Sequence, residues 1–431
     1  MRIGIQTWGS HGDIRPLLAL AGGLRSAGHE VTLLVTSVGP ADYDAVAAQL
    51  LLHLRFVATP VITDIDAVGR IREKVFGEGN PLRQVRAIIS EVFVPAADEM
   101  FDAAQTLCRD NDVVIGHFFH YPLRIAADIA GCPYASVMLV HSAIPSRHCP
   151  PFGLPALGGL GNRLSWRLAR YLLNKHLKPF ADDLRVRNGL APARDLLYDV
   201  WTSPILNLIA VSKALCTRQD DWTENHQVCG FFDLPDMAGH DGQPTPDLEQ
   251  FLGRGAPPVY VTFGSATPPC GDALKALVSL LSEAAAAAQC RMIVQVPERP
   301  DTGLEASPAI QFVNALPHAR VFPRCAAVVH HGGAGTSHAA TLAGVPSVVV
   351  AHTDEQRFWG IQLQRIGVAP APLALRSLTV GALASRLSQV LRSPTMRARA
   401  QAAAATVHGE DGVGRAVALI TATFESRTGE A

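Results

Sequence analysis

Residues 330–336, His-His-Gly-Gly-Ala-Gly-Thr, combine imidazoles, three glycines and a hydroxyl within seven positions. The apolar run 326–329 before them reads as a strand, and a helix of small residues begins near Thr336. A strand running into a glycine-rich turn and a helix start aims unpaired backbone N–H groups and the positive end of a helix dipole at one point. That is the chemistry that holds a phosphate. A second apolar strand, residues 345–351, is followed by Asp354-Glu355-Gln356, side chains able to hold hydroxyls. A phosphate cradle beside a polyol clamp suits a nucleotide-sugar.

The first βα turn carries a second group that could do chemistry. Gly9-Ser10-His11-Gly12-Asp13 follows a strand at residues 3–7. Its glycine spacing, G-x-x-G, lacks the third glycine of a dinucleotide fingerprint, and no acid ends the second strand at Val35-Thr36-Ser37, so a nicotinamide cofactor is excluded. Asp13 has two readings. It is an N-cap for the helix that contains Pro16, or, set opposite a sugar-nucleotide cradle, the base that takes a proton from an acceptor hydroxyl.

These groups need elements to hold them. The chain has 431 residues, beyond the size at which a single core stops growing, so two domains are expected. Strands and helices alternate in the first half (strands near 3–7, 31–35, 112–115 and 134–140; helices near 16–27 and 123–130). They alternate again from residue 259 to about 405, and a helix at 412–424 closes the chain. Such βαβα rhythm predicts parallel sheets covered on both faces, with ligands outside the carboxyl ends of the strands. The expected fold is α/β, two doubly wound Rossmann-like domains facing across a cleft. The boundaries expected are 1–236, a Pro/Gly-rich linker at 237–257, a second domain at 258–408, and a terminal segment 409–431 packing back on the first domain. Residues 145–160 read as a loop. The stretch beyond it to Arg187 reads as a solvated helical face, or as a basic surface for an anionic acceptor or lipid headgroups.

Hydrophobic content of 48% with 17% charged residues describes a well-buried globular chain, and a net charge of -1 gives no bulk attraction for nucleic acid. Eight scattered cysteines without a Cys-x-x-Cys pair read as reduced core residues in a cytoplasmic protein. No leader pattern begins the sequence and no apolar run is long enough to span a membrane, which leaves peripheral contact as the membrane option.

Together with Val261-Thr262-Phe263-Gly264-Ser265, Asn314-Ala315-Leu316-Pro317-His318, Gly344-Val345-Pro346 and Gln356-Arg357-Phe358-Trp359-Gly360, these motifs resemble family 1 glycosyltransferases of the GT-B fold. The nearest branch holds sterol glucosyltransferases, rhamnosyltransferases and antibiotic glycosyltransferases. The resemblance runs along most of the chain and is most specific over 330–360. It implies an enzyme that transfers a sugar from a nucleoside diphosphate, UDP or dTDP, to a hydroxyl of a small apolar acceptor, with inversion. His331 would contact the diphosphate, with Gly333, Ala334, Gly335, Thr336 and Ser265 completing the cradle and Gly12 facing it. Leu316 would hold the base, Glu355 and Gln356 the sugar, and Asp13 would be the catalytic base. No cofactor and no metal are implied, and the protein would be a monomer or homodimer. A sugar-nucleotide epimerase and a non-catalytic glycan- or lipid-binding homologue are the alternatives.

The chain departs from the family pattern twice. Glu355 stands where an Asp is usual, one methylene longer, which bears on the choice of sugar. His11 fills a slot where relatives often carry Arg and would touch phosphate weakly. His117 and His120 flank Phe118-Phe119 at a strand end and are either packed or in contact with acceptor. Asp64-Ile65-Asp66 matches a metal-binding D-x-D pattern but reads as a solvated loop. Trp201, Trp222 and Trp359 read as core or cleft wall.

Overall fold

The computed structural model describes residues 1–40, 42–62, 71, 80–234, 244–264, 267, 271–296, 307–314 and 316–428. The chain divides into two compact units, Met1–Pro235 with Glu410–Ala431, and Asp236–Gly409.

The first unit is built on strands β1 (Arg2–Gly9), β2 (Glu30–Ser37), β3 (His53–Phe56), β4 (Val113–His117), β5 (Tyr134–Met138), β6 (Leu206–Ile209) and β7 (His226–Val228). They form one sheet in the order β3-β2-β1-β4-β5-β6-β7, parallel at every pairing. A parallel sheet takes helices on both faces, so its central strands are apolar on both sides. Ile3, Ile5, Val113, Val114, Ile115, Ala135 and Val137 are accordingly fully buried. Strand order reverses between β1 and β4, the switch point where open α/β sheets bind ligands. The terminal helix Gly412–Thr428 belongs to this unit. His29 Nε2 meets Thr421 Oγ1 at 3.0 Å, Arg415 Nε donates to the Val228 carbonyl at 3.1 Å, and Glu410 accepts the Lys213 N–H at 2.8 Å.

The second unit carries β8 (Val259–Thr262), β9 (Met292–Gln295), β10 (Ile310–Val313), β11 (Ala327–His330), β12 (Ser347–Ala351) and β13 (Leu373–Ala374) in the order β10-β9-β8-β11-β12-β13, again all parallel. Its switch point lies between β8 and β11.

Three expectations change. The first helix, His11–Ser26, starts ahead of Pro16 and contains it, because Ser10 rather than Asp13 occupies the N-cap. The stretch expected to be linker holds a helix, Pro246–Gly253, started by Thr245 Oγ1 accepting the Leu248 N–H at 3.3 Å. Leu248 and Phe251 bury themselves with Tyr260, Ile293 and Phe322, so this segment is part of the second core. Strands β3, β6 and β7 have no counterpart in the sequence reading; each is short and carries a polar residue, such as Arg55, Asn207 or Gln227, within its run.

The seven described cysteines are free thiols, and no described helix is long and apolar enough to cross a membrane. Trp201, Trp222 and Trp359 are all buried.

Candidate active site

In the second unit β11 delivers His330 and His331 to the switch point. His330 is fully buried and its Nδ1 accepts the Gly332 N–H at 3.1 Å, which folds the chain into its turn. Burial holds the His330 pKa down to about 3, so this imidazole is a neutral structural group. His331 is largely buried too, and burial lowers its pKa to about 4 against a small opposing effect of the Thr262 backbone. Its Nδ1 has no hydrogen-bond partner among the described residues. A neutral imidazole carries one donor and one acceptor nitrogen, so His331 keeps a ring nitrogen with which to bond a ligand.

Gly333 is the N-cap of the helix Ala334–Leu342. The N–H groups of Ala334, Gly335 and Thr336 lie in its first turn, where no intrahelical carbonyl is available. A Cβ on Gly335 would meet nothing within 4 Å, so space lies open over the helix start. The polyol motif touches this turn directly. Gly332, at φ +89, brings its Cα so near the following helix that a Cβ would lie 2.4 Å from the Gln356 carbonyl oxygen.

That helix, Asp354–Arg365, begins with a capping box at Thr353. Gln356 Oε1 accepts the N–H groups of His352 and Thr353 at 2.8 and 3.2 Å. The amide is thereby fixed with its carbonyl committed to the backbone, and its NH2 is the end with which to donate to a hydroxyl. Glu355 is exposed, and its Oε1 accepts the indole N–H of Trp359 at 3.0 Å, one helical turn on. Trp359 is wholly buried, so the exposed carboxylate is tied to a rigid anchor. Leu316 packs half-buried against the core that includes Tyr260 and Phe322. Ser265 lies outside the described residues, as do Asp64 and Asp66.

In the first unit Asp13 stands at the switch point beside β1. It is half-buried, and its Oδ2 accepts both the N–H and the hydroxyl of Ser10, at 2.8 and 2.9 Å. Gly9, at φ +132, makes room for it, because a Cβ there would lie 2.4 Å from the same oxygen. Gly12, expected to face phosphate, is under no comparable constraint; a Cβ there would only reach Ser10 Oγ at 3.8 Å. His11 bonds through Nδ1 to the Tyr43 hydroxyl, and desolvation followed by the Arg15 charge lowers its pKa. The bond sets the ring against Tyr43, whose centroid lies 5.3 Å away. His117, at the end of β4, is buried, and burial lowers its pKa while the nearby Asp13 charge opposes the shift. His120 is a cap: its Nδ1 accepts the Leu123 N–H at 3.2 Å at the start of the helix Tyr121–Ala130, and burial takes its pKa to about 3. Next to these histidines Phe119 stacks on Trp201 (centroids 4.8 Å apart), and Phe118 meets the same ring edge-on at 5.8 Å.

Residues 279–411 match the erythromycin biosynthesis protein CIII-like C-terminal domain family. Over nearly its whole length the chain is similar to O-mycaminosyltylonolide 6-deoxyallosyltransferase of Streptomyces fradiae, 31% identical over 441 residues and covering 99% of both chains. It belongs to the family 1 glycosyltransferases of the GT-B fold. Solved structures agree on the fold of this glycosyltransferase. The kitacinnamycin glycotransferase superposes with a TM-score of 0.70 at 20% identity, covering 98% of this chain and 99% of that one. The Streptomyces sp. SF2575 glycosyltransferase SsfS6, complexed with thymidine diphosphate, superposes with a TM-score of 0.64 at 18% identity, covering 98% and 99%.

Several contacts around these candidate residues are absent from the sequence reading. Ser10, which holds Asp13, was legible as the first residue of an S-x-x-D box at a helix start. Trp359 as the anchor of Glu355 was legible from i, i+4 spacing, given the helix. Tyr43 against His11 was not, since the two are joined only by the fold. Among the described residues, His148, Asp220 and Asp221 lie close enough to share one metal ion. They are exposed, and their carboxylates already take the Arg147 guanidinium and backbone N–H (both 2.6 Å) and the Ser146 hydroxyl (2.9 Å).

Proposed function

We propose that this glycosyltransferase moves a sugar from a UDP- or dTDP-sugar to a hydroxyl of a small apolar acceptor, with inversion at the anomeric carbon. Asp13 is the general base. Its carboxylate takes the proton of the acceptor hydroxyl as that oxygen bonds to the anomeric carbon, and the bond to the diphosphate breaks with its electron pair leaving on phosphate. His331 and the first-turn N–H groups of residues 334–336 stabilise the charge that develops on the leaving group. Gln356 and Glu355 hold the sugar hydroxyls. No step calls for a metal ion.

The observation that carries the reading is the state of Asp13. It is a half-buried carboxylate at a switch point, held in place through a single oxygen by Ser10. A base needs a fixed position within hydrogen-bond reach of its proton, and such a group typically contributes about 10²–10⁴-fold. The aromatic group of Phe118, Phe119 and Trp201 close by supports an apolar acceptor. The thymidine diphosphate bound to SsfS6 and the 6-deoxyallosyl transfer of the Streptomyces fradiae relative make dTDP-deoxysugars and natural-product hydroxyls the first substrates to try.

The test is incubation with α-linked UDP- and dTDP-sugars and a mixed library of apolar acceptors, with mass spectrometry to find the product and NMR to read its anomeric coupling. A β-linked glycoside is expected. An α-linked product overturns inversion, and an epimerised donor formed without acceptor overturns transfer.

A further inference from the structure

The helix Gly158–His176 carries large apolar side chains on its outward as well as its inward side. A surface helix ordinarily turns its apolar stripe to the core and its polar face to water. Here the inward face holds half-buried Ala169, Leu172 and Leu173 and is tied down by hydrogen bonds from polar groups beside them. Asn162 donates to the Arg147 carbonyl at 2.9 Å and accepts the Leu157 N–H at 3.1 Å. Trp166 donates to the Cys149 carbonyl at 2.8 Å. Arg170 and Asn174 both donate to Asp195, at 2.8 and 3.0 Å. These four residues fall at i, i+4, i+8 and i+12.

The outward face is apolar. Leu160, Leu164, Leu168 and Tyr171 share one side of the helix and are 77%, 61%, 55% and 60% exposed, and Leu154 and Leu157 continue the patch ahead of it. Six of the thirteen exposed large apolar side chains among the described residues thus lie in eighteen consecutive positions. Such clustering marks an interaction surface, which scattered exposed leucines would not.

Charge identifies the occupant. Between Asp128 and Asp182 the chain has six Arg and Lys residues and no Asp or Glu, in a protein of net charge -1. Arg147, Arg170 and Lys178 of this stretch are paired with Asp220, Asp195 and Asp182. Arg163, Arg167 and Lys175 are exposed and pair with no carboxylate among the described residues. On a helical projection Arg163 and Arg167 border the leucine stripe, and Lys175 ends it. A second copy of the chain would set like charges against each other across such a stripe. A protein partner is a poorer fit, because leucine is under-represented where protein interfaces concentrate their binding energy. A leucine ridge flanked by arginines is what an interfacial helix presents to a lipid layer, with apolar side chains below the headgroups and the cations level with them.

We propose that the Gly158–His176 helix docks the protein peripherally on anionic lipid surfaces. The ridge enters the acyl boundary, while Arg163, Arg167 and Lys175 contact the phosphates.

Flotation of the full-length protein with vesicles of phosphatidylglycerol and phosphatidylcholine tests this. Binding to the anionic vesicles is expected, with little on phosphatidylcholine alone and a decline as salt rises from about 0.1 to 0.5 M. The double substitution L164S/L168S is expected to lower the bound fraction at least about tenfold, and R163E/R167E to do the same on anionic vesicles only. Both leave the thermal midpoint near that of the parent, since the altered side chains face solvent. Light scattering on the same samples separates the other occupants. Failure to float with anionic vesicles overturns the proposal, as does unchanged flotation of L164S/L168S, or loss of a dimer in that variant without loss of vesicle binding.

Discussion

Gly333 and His331 fit together only because position 333 has no side chain; a Cβ there would lie 2.4 Å from His331 Nε2. Gly9 and Asp13 stand in the same relation in the other unit, with a Cβ 2.4 Å from Asp13 Oδ2. In each case a glycine at a switch point leaves the volume into which a chemically active side chain turns.

Gly333→Ala should therefore act through His331. The methyl group displaces the imidazole from its place beside the helix start, and nucleoside diphosphate affinity falls at least about tenfold, or 1.4 kcal/mol. Isothermal titration with dTDP and UDP measures this. Affinity equal to the parent's would remove His331 from the phosphate site.

Asp13→Asn keeps the size of the side chain and the oxygen that faces Ser10, but loses the proton acceptor. Turnover should fall at least about a hundredfold while nucleotide affinity holds. The variant also loses a negative charge from the first turn of its helix, a change of about 0.3–1 kcal/mol. Circular dichroism melts beside single-turnover rates separate the two effects, and near-normal turnover would rule Asp13 out as the base.

Trp359→Phe tests the anchor of Glu355. An aromatic ring stays, the indole N–H goes, and the exposed carboxylate loses its bond to the buried ring. The expected signature is a rise in donor-sugar KM of roughly tenfold with weaker discrimination between sugars, and nucleoside diphosphate affinity within about twofold of the parent. Equal loss of sugar and nucleotide binding would mean that the tryptophan only supports the fold.

Four buried imidazoles set the response to acid. His120 and His330 have pKa values near 3, and His226 and His331 near 4, all lowered chiefly by burial. The unfolded chain takes these protons near pH 6.5. Between about pH 6.5 and 4 the unfolded state thus binds more protons than the folded one, and stability falls as pH is lowered through that window. Each histidine contributes up to about 1.4 kcal/mol per pH unit. Urea midpoints between pH 7.5 and 4.5 should show a steep decline beginning near 6.5. A flat profile across that range would contradict the neutral, buried state of these rings.

Much of the fold was written in local pattern. The apolar strands at the centre of both sheets and the glycine turn at 330–336 declare themselves by apolar runs and by residues of fixed conformational meaning. The strand Leu206–Ile209 does not, because Asn207 interrupts its apolar run and its conformation is owed to neighbours on either side. The helix Pro246–Gly253 was hidden by its setting: polar and Pro/Gly-rich surroundings suggested a linker, while Leu248 and Phe251, three residues apart, supply the buried face.

The sequence by itself determined the chemistry available to this protein. Residue types and spacing named a phosphate turn, a polyol clamp and a carboxylate, since backbone N–H groups, imidazoles and acids carry their properties wherever the chain puts them. Tertiary structure alone decided the state of each group. It buried His331 to neutrality, closed Gln356's carbonyl onto the backbone and fixed Glu355 to a buried indole. It gave His120 a capping role and turned the leucines of 160–171 outward. Those outcomes depend on packing and desolvation by residues distant in sequence, and such effects exist only once the chain has folded.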